Sequence, residues 1–347
     1  MDFLARIRSC AVCATGALIA AAAAVLPAGT ATAQTPVKVT LDFKFEGPSA
    51  PFLVGLDKDY YKAEGLDVTI DPAASSLEAI RRVASGVYDI GFADINALIR
   101  FRDQNPGAPI KAVYMVYNRP PFAIITRKSR GVEKPKDLEG KKLGAPAADG
   151  TFAQWKIFVK ANGIDAGKVI VEDVGAPVRE PMLAAGEVDA ITGFSFSSYV
   201  NLKERGVPVD DIVVLQMADY GVSLYGSAII VGDKFAAAHP EAVKGFLRAF
   251  TKGLKDTVRD PAAAVDSVIK RNDAAKKDVE LERLRMALKD NILTPEVEAN
   301  GYGEVDMARL DRAIGQIALT NDFRAKPKAS DIFDPSFLPP AADRNTD

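Results

Sequence analysis

Short apolar runs alternate with amphipathic stretches through most of the chain. Residues 37–43 alternate apolar and polar positions, the period-two pattern of a strand with one buried face. Residues 51–63 carry helical spacing and stop at Gly65, and residues 66–70 form a second strand. Ser75 and Ser76 are candidate caps for a helix running to Ala84, with Glu78 placed for a capping box. Strands follow at 90–93 and 110–116, with a helix at 95–102 between them. Further strands are predicted at 122–126, 142–144, 168–174, 189–192, 213–216 and 226–231. Helices fall at 151–162, 179–185 and 198–204. Strands alternating with helices of this length predict an α/β fold with mostly parallel sheet strands. After Asp233 the pattern becomes helical. Val243, Phe246, Leu247, Phe250, Leu254 and Val258 form one apolar stripe facing a core. Further helices are predicted over 262–270, 279–290, 295–300 and 306–319, before an extended apolar tail at 332–340 that packs on the body.

One arrangement occurs twice. The strand at 68–71 leads through a helix to Gly86 and Asp89. The strand at 169–172 leads through a helix to Gly186 and Asp189. In each copy the glycine ends the helix and the aspartate begins a buried strand. Two equivalent α/β halves follow from this spacing.

The first 33 residues have a different character. Arg6 and Arg8 precede an Ala-rich apolar run from Ala11 to Leu26, and Ala31-Thr-Ala33 fits a small-residue cleavage site. This reads as a signal peptide for the Sec route, cleaved near Ala33, which places the mature chain in the periplasm. Both cysteines, Cys10 and Cys13, lie inside that segment, so their C-x-x-C spacing is no guide to metal or redox chemistry. The formal charge of −2 over 347 residues gives no basic excess, which argues against a nucleic-acid partner.

The stretch 142–155 joins a short strand through Gly144, Pro146 and Gly150 to a helix start, a geometry that presents backbone N–H groups to a small ligand. Trp155, one turn in, belongs with Phe152, Phe158 and Val159 to a core-facing stripe. Catalytic chemistry finds little support. The single histidine, His239, stands before Pro240 at a helix boundary, and no G-x-S-x-G, P-loop or dinucleotide fingerprint is present. No metal site and no cofactor are expected.

Several stretches resemble one family. These are Leu41-Asp-Phe43, the run 50–68 around Tyr60-Tyr-Lys-Ala-Glu-Gly65, the run Gly86 to Asp94, the run Pro135 to Gly144, and Ala185-Gly-Glu-Val-Asp-Ala190. They are similar to periplasmic substrate-binding proteins of ABC importers, in the thiamine-precursor-binding group, with nitrate, sulfonate and taurine binders nearby. The resemblance covers nearly all of 37–338. It implies a type II periplasmic-binding-protein fold: two α/β lobes joined by crossing hinge strands, with a helical C-terminal part. Lobe one would be 37–122 plus 227–340 and lobe two 123–226. A small molecule, a pyrimidine-like heteroaromatic or a small organic acid or sulfonate, would be captured between them by hinge closure. It would then pass to a permease and ATPase complex in the inner membrane, with the chain acting as a monomer. Pyrimidine binders of this group usually carry Trp where this chain has Phe43. An alternative is a pyrimidine synthase of the same fold, an enzyme type that uses an active-site His, a cofactor-bound Lys and a Cys-rich motif.

In such a fold, ligands sit at the carboxyl ends of strands and the helix starts that follow. From lobe one this selects Asp42, Phe43, Phe45, Ser49, Ser76, Asp94, Asn96 and Tyr117. From lobe two it selects Asp149, Thr151, Phe152, Gln154, Phe194 and Phe196. The phenylalanines suit stacking on a flat ligand as well as ordinary core packing, and Asp94 equally suits capping the helix after it. Asp42 and Asp149 would repel a bare anion, which favours a ligand with amino or N–H groups or an aspartate turned away to cap.

Overall fold

The structure is a computed structural model that describes residues 34–346 except Ala148. The segment read as a signal peptide lies outside the described residues. Ten strands form two sheets of five. The first sheet holds β1 (Thr35–Leu41), β2 (Leu66–Pro72), β3 (Ile90–Asp94), β4 (Ile110–Met115) and β10 (Ser227–Gly232), in the order β2-β1-β3-β10-β4. The second holds β5 (Phe122–Arg127), β6 (Lys142–Ala145), β7 (Ile170–Asp173), β8 (Ala190–Phe194) and β9 (Ile212–Gln216), in the order β7-β6-β8-β5-β9. The two orders are the same pattern with the halves of the chain exchanged.

The halves agree in detail. Gly86 and Gly186 end their helices at φ 76° and 79°, a left-handed conformation that glycine adopts without a Cβ penalty. Three residues later, Asp89 accepts a hydrogen bond from the Lys38 backbone N–H at 2.8 Å, and Asp189 accepts one from the Lys142 N–H at 2.9 Å. Each aspartate thereby ties the start of its strand to the strand beside it.

The expectation of mostly parallel strands needs one correction. β1, β2 and β3 run parallel, as do β6, β7 and β8. The strand that enters from the other half, β10 in the first sheet and β5 in the second, runs antiparallel to both neighbours. The chain therefore crosses twice between lobes. The two connections touch where the Gly226 N–H donates to the Tyr117 carbonyl at 2.8 Å. A Cβ at Gly226 would lie 2.7 Å from the Tyr117 Cβ, so only glycine permits this approach without a shift.

Helices cover both sheets. The helix Pro240–Arg259 buries Val243, Phe246, Leu247, Phe250 and Leu254 against the first lobe, as its apolar stripe predicts. The helix predicted over 51–63 breaks into Ala50–Asp57 and Tyr60–Ala63, because Asp59 takes a positive φ of 55°. The tail packs on the body: the Asp334 N–H donates to the Ala112 carbonyl, and Phe333 is buried beside that edge. It is only partly extended, with a 3-10 turn at Pro335–Phe337. Among the described residues, no helix is long and apolar enough to cross a membrane.

Candidate ligand-binding cleft

Two helix starts flank the crossing strands. The Ile95 N–H donates to the Gly226 carbonyl at 3.0 Å, and the Ser195 N–H donates to the Pro121 carbonyl at 2.8 Å. Each bond anchors a helix, Ile95–Gln104 in lobe one and Ser195–Glu204 in lobe two, to the connection that enters its sheet. The residues at equivalent places differ in kind: Asp94 and Asn96 in lobe one stand where Phe194 and Phe196 stand in lobe two.

The lobe-one side is a hydrogen-bonded polar group. Ser76 donates its hydroxyl to Asp42 Oδ2 at 2.8 Å and accepts the Asp94 backbone N–H at 3.0 Å. Asp94 caps its helix by accepting the Ala97 N–H at 2.8 Å, and it also accepts from Asn96 Nδ2 at 3.0 Å. Asn96 donates again to the Tyr225 carbonyl, at 2.7 Å, while its buried Oδ1 has no partner. Ser75 caps its helix through the Glu78 N–H, but Glu78 reaches back to the Ala74 N–H and not to that of Ser75. The capping box is thus offset by one residue.

Burial drives the electrostatics here. Asp42 is crowded by protein yet keeps part of its surface open. That loss of solvent pushes its carboxyl up to about 7; the Ser76 hydrogen bond opposes the rise and the charge of Asp94 adds to it. Burial likewise lifts Asp94 to about 6, against its hydrogen bonds and the Arg100 charge. Tyr117 is buried, which raises its hydroxyl, and the charges of Asp42 and Glu46 act in the same direction.

The lobe-two side is partly aromatic. Phe194 lies 6.0 Å from Phe122 and 5.9 Å from Phe196, measured between ring centres. Phe196 reaches out of its own lobe into the first lobe's apolar core, with its ring edge-on to Tyr117 at 6.3 Å. Beside these rings, Asp149 accepts from the Thr192 hydroxyl at 2.9 Å and the Thr151 N–H at 3.2 Å, with Arg179 at 3.5 Å. Thr151 is buried with an unpartnered hydroxyl, as is Ser195. Phe152 is partly buried against the core, and Trp155 is buried there at 6% exposure, as its helical stripe predicts.

The structure brings together Asp42, Ser76, Asp94, Asn96 and Tyr117 on one side, and Asp149, Thr151, Phe194 and Phe196 on the other. Gln154 is fully buried at the junction, accepting from Arg100 at 2.9 Å and so joining the lobes. Phe43 is half exposed, with Lys44 over its ring. The Phe45 carbonyl is held by Asn272, and Ser49 turns back to the Glu46 N–H. Sequence reasoning passed over Arg100 and Arg179. Arg100 lies one helical turn beyond Asn96, so that spacing was a usable sign. Arg179 becomes relevant only once its helix is placed beside Asp149.

A second line of contact closes the lobes. Lys203 pairs with Glu282 at 2.8 Å, Lys276 with Glu204 at 2.8 Å, and the buried Arg283 reaches Asn201 at 3.4 Å. A shallow cavity of about 490 Å³, lined by Arg81, Ser85, Phe101 and Asn105, opens at the opposite strand ends and contains none of the candidate residues. Among the described residues, no group of three or more His, Cys, Asp or Glu is arranged to hold a metal ion.

Two lobes of matching strand order, exchanging one antiparallel strand each, define the periplasmic-binding-protein fold. The alkanesulfonate-binding protein SsuA of Xanthomonas axonopodis pv. citri, solved with MOPS bound, superposes with a TM-score of 0.65 at 13% identity, covering 88% of this chain and 99% of that one. The chain belongs to the NMT1/THI5-like family, which matches residues 47–264. The riboflavin-binding protein RibY of Chloroflexus aurantiacus is 29% identical over 62% of this chain and 61% of its own length. The formylaminopyrimidine-binding protein of Halalkalibacterium halodurans is 26% identical over 73% of this chain and 76% of its own. The 4-amino-5-hydroxymethyl-2-methylpyrimidine phosphate synthase of Schizosaccharomyces pombe is 26% identical over 61% of this chain and 62% of its own. The match therefore spans less than two thirds of the riboflavin binder and of the synthase.

Proposed function

We propose that this chain is the solute-binding component of an ABC importer. It captures a small, flat nitrogen heterocycle between lobes comprising 37–122 plus 227–340 and 123–226, and delivers it to a membrane permease. The supporting observation is the contrast at equivalent positions: carboxyl and amide groups at Asp94 and Asn96 face a half whose matching positions are Phe194 and Phe196. Such a pair of surfaces suits a ligand with a polar hydrogen-bonding edge and an aromatic face. Closure follows because a ligand touching both lobes favours the closed population. The Ala-rich N-terminal segment supports export to the periplasm, where such a protein works.

The charges favour a neutral or cationic ligand. Asp42, Asp94, Asp149 and Glu180 stand near the strand ends, against Arg100 and Arg179, and Arg179 is already engaged by Asp149 and Glu180. A sulfonate or nitrate would meet four acidic side chains and two arginines that are already engaged. The ligands named for two relatives, riboflavin and formylaminopyrimidine, are of the favoured kind.

A thermal-shift panel of riboflavin, aminopyrimidines, taurine, an alkanesulfonate and nitrate tests this reading. A ligand that binds only the folded state stabilises it by about 2.7 kcal/mol at a hundredfold excess over Kd. At least one heterocycle is expected to raise the melting temperature; no response from any heterocycle would remove the proposal.

The synthase relative motivates a second reading, an enzyme. Its requirements fit poorly: the one histidine, His239, is exposed beside Phe235, and both cysteines precede residue 14. Visible absorbance on adding pyridoxal phosphate, if an internal aldimine forms, would favour the enzyme instead.

A further inference from the structure

The polar group of lobe one contains a carboxyl whose acceptor capacity is not filled. Among the described residues, the one side-chain donor to Asp42 is Ser76, and it reaches Oδ2. No lysine, arginine or histidine in the described residues pairs with Asp42. This differs from nearby acids. Asp94 is occupied by the Ala97 N–H and Asn96, Asp149 by Thr151, Thr192 and Arg179, and Glu180 by Arg179 and Ser198.

The groups facing Asp42 come from every element packed around it. Asp94 lies at the end of β3, with Arg100 behind it acting on Asp94. Tyr117, which follows β4, feels the charges of both Asp42 and Glu46. Lys44, the nearest cation in sequence, is exposed and pairs with Glu46 at 3.1 Å. The surroundings are acidic, so a desolvated carboxyl there either keeps its proton or, when ionised, takes a donor from elsewhere.

We infer that Asp42 is the specificity-determining residue of the cleft: its carboxylate accepts a ring or exocyclic N–H of the heterocycle and turns away anionic ligands. This deepens the solute-binding reading above and rests on it. Ser76 positions the carboxyl, since its single proton is committed to Asp42 while its oxygen is held by the Asp94 N–H. Because Asp42 must be ionised to accept through both oxygens, binding of a neutral N–H donor releases a proton when the free protein holds one. Affinity for such a ligand then rises with pH until Asp42 is ionised without it, and levels off beyond. An anionic ligand would show the opposite trend.

Calorimetric titration of the full chain and of Asp42→Asn at pH 6 and pH 8 tests this, with four probes: riboflavin, a 4-aminopyrimidine, taurine and nitrate. Asn keeps the volume and one acceptor oxygen but turns the other into a donor, so it removes the charge and one acceptor together. The wild-type chain is expected to bind a heterocycle more tightly at pH 8. Asp42→Asn is expected to weaken that binding at least about tenfold, as loss of a charge-assisted bond implies, and to remove the pH difference. Undiminished heterocycle binding by Asp42→Asn overturns the inference and leaves the solute-binding reading standing. Binding of taurine or nitrate by the wild-type chain that Asp42→Asn leaves unchanged also overturns it, and redirects the ligand class. Failure of all four probes on the wild-type chain counts against both.

Discussion

Asp42→Asn is expected to make the unliganded protein more stable at neutral and alkaline pH, and no more stable at pH 3. In the folded chain the carboxyl keeps its proton up to about 7, against an ordinary value of 3.8. Between these values the unfolded chain is the more ionised, so each step up in pH favours unfolding. Below about 4 both states hold the proton and the residue contributes nothing. Each pKa unit is worth about 1.4 kcal/mol, so ionising Asp42 in place costs on the order of 4 kcal/mol. Asp94 shares the site, and some of that cost passes between the two groups. A gain of about 2 kcal/mol or more at pH 8 is therefore expected, read as a rise in melting temperature of about 4 °C or more. An equal melting temperature for the two proteins at pH 8 would show that the site is better solvated than its crowding implies. Stability sacrificed at one carboxyl, and regained on binding, is a frequent arrangement at functional sites.

Arg309→Ala is expected to cost about 3 kcal/mol and to loosen the junction between the lobes. The guanidinium donates to the Asn118 carbonyl and the Leu224 carbonyl, both at 3.0 Å. Asn118 lies on the first connection between lobes and Leu224 on the second, so one side chain spans both. It also meets Asn118 Oδ1 at 3.1 Å and Glu296 at 2.6 Å, and it lies 3.9 Å over the Tyr225 ring. Burial acts to raise Glu296, but hydrogen bonds from Tyr225 and Arg309 outweigh it and hold this carboxyl below its usual range. Removing the arginine strands two carbonyls and an ionised acid in a partly buried site, a loss comparable to breaking a buried pair. Arg309→Lys should recover less than half, because one ammonium cannot reproduce the planar fork that reaches both connections. Urea denaturation measures both variants; a loss under about 1 kcal/mol for alanine would show that the connections hold without this clamp.

Much of the fold was legible because it is local. The glycine and aspartate pairs 100 residues apart announce two halves, and each aspartate makes the same backbone hydrogen bond in the structure. The stripe from Val243 to Leu254 and the position of Trp155 follow from helical spacing alone. The antiparallel sense of β5 and β10 was not legible from pattern, since an apolar run shows that a strand is buried but not which neighbour it joins. The break at Asp59 was hidden too, because a positive φ at an aspartate leaves no mark in an apolar pattern.

The site was legible to a different degree. The rule that ligands lie at strand ends gathers Asp42, Ser76, Asp94 and Asn96, and the structure joins them by hydrogen bonds. It also gathers Phe43 and Ser49, which the structure places half exposed and in a local turn. The pairings that join the lobes, Arg100 with Gln154 and Arg309 with Leu224, were out of reach: the partners are 54 and 85 positions apart. Long-range ion pairs and carbonyl contacts have no periodic trace, so only placement in space reveals them. The difference between a polar and an aromatic half was present in the sequence at positions 94, 96, 194 and 196. It acquired meaning once the two helix starts proved to be anchored to the same pair of crossing connections.

The most direct test of the central claim is native mass spectrometry of the protein, purified without unfolding and then offered riboflavin, an aminopyrimidine, taurine and nitrate in turn. The expected result is a one-to-one complex with a nitrogen heterocycle, carried through purification or formed on addition, that is lost when the chain unfolds. A complex with taurine or nitrate alone, or a chain that takes up no heterocycle, would contradict the account.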